Sequence, residues 1–165
     1  MKPIMVVAML VGLACTAGSQ SIRRGDQVTR ATEPGAVDAI REVVLRDLLS
    51  HDSDQTRVAR TSTCFIRFEE HLDPPQEFLD RLAGACAAVR PWSQLAAAGG
   101  PVRFSRSGGT RIGFNVGSIH WRTESEAEVQ AGYNCGSLCA AAYTYRVRLT
   151  PTGWVVAQAT MQWIS

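Results

Sequence analysis

The segment Tyr133-Asn-Cys-Gly-Ser-Leu-Cys139 sets two cysteines apart by three residues. Thiols so placed bind a metal, exchange electrons or close a covalent staple. A zinc centre needs about four ligands, usually arriving as two close pairs. Here there is one close pair, and His71, His120, Cys64 and Cys86 are scattered, so the sequence points to no metal. A thioredoxin-type pair has two intervening residues and opens a helix, whose dipole lowers one thiol's pKa. This pair has three, between predicted strands. A staple fits best: a turn at Gly136-Ser137-Leu138 brings two Cβ atoms to the ~4 Å that a disulfide requires. Cys64 and Cys86 are the complementary pair, and their 22-residue separation would contribute roughly 3 kcal/mol in the chain-entropy picture. Four cysteines allow three connectivities; these placements favour Cys64–Cys86 with Cys135–Cys139.

The remaining polar clusters carry weaker chemistry. His51-Asp-Ser-Asp54 reads as a solvated helix end, and a catalytic triad is defined by geometry that no sequence supplies. Carboxylates surround His71 in Phe68-Glu-Glu-His-Leu-Asp73, where a strand feeds a capped helix. Ser107-Gly-Gly-Thr110 lacks the lysine and the glycine spacing of a phosphate loop. No catalytic residue and no cofactor is assigned. The one physically motivated site is an apolar pocket between helix and sheet, lined by Trp121, Tyr133 and Tyr145, with His120 beside them.

The N-terminus explains why cysteines would be oxidised. After Lys2, Ile4 to Cys15 is an apolar run followed by small and then polar residues. That is the three-part pattern of a secretory signal, too short to span a bilayer as a mature helix. Cleavage after Ala17 removes residues 1–17; residues 18–35 then form a polar tether, and 36–165 a single domain. A competing route lipidates Cys15, since Leu10-Val-Gly-Leu-Ala-Cys15 resembles a lipoprotein box except at Gly12. Both routes export the chain, to periplasm or medium, and leave four cysteines, an even number suited to an oxidising compartment. Membrane association follows only from lipid on Cys15. Without Lys2, the chain's sole lysine, sixteen arginines face fifteen acidic residues, which gives no electrostatic reason to expect nucleic acid. It also excludes lysine nucleophiles and Schiff bases.

Hydrophobic periodicity supplies the elements. Val37, Ile40, Val44 and Leu48, widened by Leu45 and Leu49, predict a helix, with Glu42 and Arg46 paired four apart. Residues 57–68 read as a strand with Cys64, Ile66 and Phe68 on one face. Asp73 as N-cap, Pro74 in the first turn and Phe78, Leu82, Cys86 and Val89 on one side predict a second helix of about four turns, ending at Pro91. Residues 91–111 read as loop. Period-two segments then follow: 112–121, 127–133, 143–149 and a last strand with Val155, Ala157, Ala159, Met161 and Trp163 on one face. The expected fold class is α+β: two N-terminal helices packed on a curved, mainly antiparallel sheet, in a cystatin-like or nuclear-transport-factor-like arrangement.

Several C-terminal elements stand out together: Gly132-Tyr133, Gly136 with Leu138, Tyr145-Arg146-Val147, Gly153-Trp154-Val155-Val156 and Trp163-Ile164-Ser165. With Leu72–Gly84 and Val89–Gln94, they resemble a group of small exported bacterial proteins of uncharacterised function. The likeness covers roughly residues 64–165 and departs at Asn134, where that group often has a second aromatic residue. It implies an exported single domain and carries over no activity. The expectation is a non-catalytic binding module for a small ligand or an envelope protein. Alternatives are a hydrolase- or isomerase-like enzyme with a His/carboxylate pair, and a structural or inhibitory envelope component.

Overall fold

The computed structural model describes residues 35–50, 60–69, 72–97, 110–136 and 139–165. The leader with Cys15, the tether up to residue 34, the 51–54 cluster, His71, and Ser107 to Gly109 lie outside the described residues.

Helix α1 (Ala36–Ser50) forms where the apolar stripe predicts it, burying Ala36, Ile40, Val44, Leu45, Leu48 and Leu49. Val37 lies off the stripe, half-exposed. Glu42 meets Arg46 one turn on at 2.9 Å and also reaches Arg81 at 2.7 Å. Arg81 belongs to α2 (Gln76–Arg81), so one carboxylate ties the two helices together. Phe78 of α2 packs edge-on against Phe68 with ring centroids 4.9 Å apart.

Six strands form one sheet: β1 (Thr63–Phe68), β2 (Ala88–Pro91), β3 (Arg111–Thr123), β4 (Glu126–Gly136), β5 (Cys139–Thr150) and β6 (Gly153–Ile164), in the order β2-β1-β3-β4-β5-β6. From β3 onward the strands form an antiparallel meander, while β1 runs parallel to both β2 and β3. Strand β1 therefore lies inside the sheet with Cys64, Phe65, Ile66 and Phe68 all buried, as a strand covered on both faces should be. A short third helix, α3 (Gln94–Ala97), follows β2.

The described residues are mostly β, with one helix of 15 residues beside others of six and four. This overturns the α+β expectation of two helices on a mainly antiparallel sheet, and the cystatin-like and nuclear-transport-factor-like arrangements with it. The cause is local. Gly84, at φ +87°, takes the left-handed backbone that ends a helix. Beyond it, Ala88 to Pro91 pair in parallel with Thr63 to Ile66, so Val89 sits in a strand. Pairing with β1 has overridden an alanine-rich helical pattern. Asp73 is not the N-cap either: α2 starts after Pro75, and Asp73 accepts a hydrogen bond from the Ser93 amide at 3.1 Å.

Cys64–Cys86 and Cys135–Cys139 are disulfide-bonded, with Cα atoms 6.1 and 5.1 Å apart. The first ties β1 to the approach to β2 across the α2 crossover. The second closes the β4–β5 hairpin. Disulfides of this kind belong to an oxidising environment. No described helix is long and apolar enough to cross a membrane.

Because loop entropy scales with span, the two bonds should contribute unequally. Replacing Cys64 and Cys86 together with alanine is expected to lower unfolding free energy by about 3 kcal/mol, and replacing Cys135 and Cys139 by about 2 kcal/mol. Urea denaturation of both double variants checks this; equal losses would contradict the assigned roles.

Candidate functional site

The two faces of the sheet differ in chemistry, and cross-strand pairing shows how. On one face, Phe114 pairs with Tyr133, Val129 with Tyr145, Ala131 with Tyr143 and Ala127 with Val147. These side chains are buried, and α1 lies over β3 to β6 on this side. On the other face runs a polar row: His120 opposite Glu128, Glu128 opposite Arg146, and Arg146 opposite Gln158.

This division separates the residues that the sequence grouped in one pocket. Tyr145 is fully buried and Tyr133 nearly so; they pack into the core among Val129, Ala131 and Phe114. Trp121 shares their face farther along β3, 38 % exposed, edge-on to Trp154 with centroids 5.6 Å apart. His120 is exposed on the opposite face. The structure thus places both tyrosines in the core, Tyr145 opposite Val129 and Tyr133 opposite Ala141 farther along the same strand pair, leaves Trp121 at its margin and turns His120 away.

Electrostatics follow the same partition. Burial is the main force raising the Tyr145 phenol far above its ordinary pKa, and the negative charge of Asp47 on α1 adds to it. The hydroxyl is enclosed, and Asp47 acts on it through both its charge and its hydrogen-bonding, each favouring the neutral phenol. On the polar face, Arg122 donates to Glu128 at 2.6 Å, and Arg146 stands 3.9 Å away. The Arg122 hydrogen bond does most to hold the Glu128 carboxyl below the usual range; burial opposes it, and the Arg122, Arg146 and His120 charges reinforce it.

No group of three metal-ligating side chains is found among the described residues. The cysteines that could have bound metal are committed to disulfides.

What the pattern reading missed lies on β6. Strict alternation puts Val155, Ala157, Ala159, Met161 and Trp163 on one face, but bulges at Ala157 and Gln162 break it. Met161 pairs with Tyr143 on the helix side and Trp163 with Ala142 on the other. Both are about half exposed, and Ile164 is 65 % exposed. A signal was present in the sequence: no residue after Arg148 carries a charged side chain. Comparison with family models, curated proteins and solved structures finds no match for this chain.

The Tyr145 shift has a signed consequence. A phenol with raised folded-state pKa contributes stability that is complete below its unfolded value, about 10, and is lost as pH rises above that value. Tyr145→Phe should therefore resist alkaline unfolding better than the unaltered chain. Circular dichroism across pH 8–12 reads the midpoint, and an unchanged midpoint would refute a buried neutral phenol.

Proposed function

We propose that this chain is an exported, non-catalytic module that binds a protein partner through the β6 side of its sheet. The observation that carries this reading is the exposure of Met161, Trp163 and Ile164 on an edge strand, while the aromatic residues suited to holding a small ligand, Tyr133 and Tyr145, are packed into the core. A packed interior beside an edge strand that exposes apolar side chains on both faces, Met161 and Ile164 on one and Trp163 on the other, favours macromolecular contact over small-ligand capture. The signal-like leader and the two disulfides support a location in the periplasm or outside the cell, with membrane attachment through lipid on Cys15 as the variant of that route. The C-terminal resemblance to small exported bacterial proteins points the same way.

The His/carboxylate reading draws on His120 and Glu128, which do stand opposite each other. Yet Glu128 is held by Arg122 and shifted down, away from the pKa of a base that works near neutrality. The pair also sits on an open face, with His120 exposed and nothing to exclude water. Binding is the better account.

A photo-reactive side chain placed at 161 or 163, in the chain expressed in its host, should crosslink to protein. The same group at Gln130, exposed on the polar face, should not. Equal crosslinking at all three positions, or none at 161 and 163, would defeat the proposal.

A further inference from the structure

The sheet has two edges, built differently. Strand β2 is four residues long and carries Arg90 and Pro91, the charge and the proline with which natural sheets blunt an edge. Strand β6 is 12 residues long, with no proline and no charged side chain. Its two bulges add twist, but Gln158 to Met161 between them pair regularly with β5. Its outer row of amide and carbonyl groups is a template for another strand.

The absence of charge narrows what that strand can be. A charged peptide finds no complementary group along β6. An identical strand pairing antiparallel with itself sets the residue on the two-fold axis against its own symmetry mate, so a charge there would face a like charge, which is destabilising. Strand β6 carries none, whereas Arg146 and Arg148 on neighbouring β5 would make such a pairing repulsive. Thr160 instead offers a neutral hydroxyl able to hydrogen-bond with its own kind, and Gln158 beside it on the same face is neutral too. Met161, Trp163 and Ile164 add apolar area that is now in water.

We infer that the β6 edge pairs antiparallel with the β6 edge of a second copy, about a two-fold axis through Thr160, joining two six-stranded sheets into one. This inference rests on the binding-module reading and names its partner. Two-fold closure is the commonest arrangement for a self-complementary patch, and it consumes both open edges without propagating. The far edges, guarded by Arg90 and Pro91, stop further growth.

Charge substitution tests it. The disulfide-bonded chain, purified after export, should shift from monomer to dimer in sedimentation as concentration rises. Thr160→Lys and Thr160→Glu, each at an exposed position, should stay monomeric with unchanged circular dichroism, and mixing the two should restore the dimer. Hydrogen exchange at the β6 amides that point away from β5 separates the failures, and these are the amides compared. A monomer at every concentration with fast-exchanging β6 amides overturns self-pairing and leaves the edge open for a different protein. A monomer with slow-exchanging β6 amides means that the chain covers its own edge, and both readings fall. Dimerisation of the single-charge variants would overturn the assigned edge.

Discussion

The fold depends on one covalent constraint, the bond between Cys64 and Cys86. Parallel pairing of β1 with β2 requires the chain to leave the sheet, cross over through α2 and return in register. Strand β2 is only four residues long, so the pairing it makes is meagre repayment for ordering the crossover. Closing that loop covalently removes much of the disorder available to the unfolded chain, which shifts the balance toward the paired state. Phe78 against Phe68 and Glu42 against Arg81 then fix α2 to β1 and α1. Oxidation and architecture are coupled here: a reducing compartment would deprive the parallel half of its tie.

The antiparallel half has no such need. Its hairpins are local, so each strand meets its neighbour through a short connection at small loop-closure cost. Core side chains from β3, β4 and β5 stack in register beneath α1. The small Cys135–Cys139 loop fixes a hairpin end that local pairing already favours. The chain thus joins a self-sufficient meander to a parallel segment held by sulphur.

How much of this was legible depended on whether local signals agreed with tertiary ones. Helix α1 was readable because Ile40, Val44 and Leu48 stay on a stripe whose period matches a helix buried on one side. The meander was readable from alternation that survives in β4 and β5. Leu82, Cys86 and Val89 misled because helical spacing carries no information about a parallel partner far away in sequence; Gly84 was the available cue. Phe65 is buried on the opposite face from Cys64 and Ile66, which a half-buried strand would not predict. Tyr133 and Tyr145 share the core face of the sheet, but aromatic content alone cannot distinguish a lined pocket from a filled core. His120 and Trp121 are adjacent, so in a strand they had to point to opposite faces, and the sequence itself argued against one pocket holding both.

Charge is distributed in a way that connects fold to function. Arg122, Glu128 and Arg146 project from β3, β4 and β5 onto a solvated face, where cross-strand attraction of opposite charges supports register and like charges at the same heights would disturb it. Carried to the edge, the pattern would have placed another ionic residue opposite Arg146, but Gln158 stands there. The neighbouring pair Thr144–Thr160 is neutral, and so is every later position of β6. An edge strand without charge is a liability for a chain that must remain dispersed, since open main-chain groups recruit other strands. The β2 edge of the same molecule has the customary protection, so the composition of β6 is a local departure within one chain. The economical physical reading is that the liability is used: the edge is kept neutral because a strand is meant to lie against it.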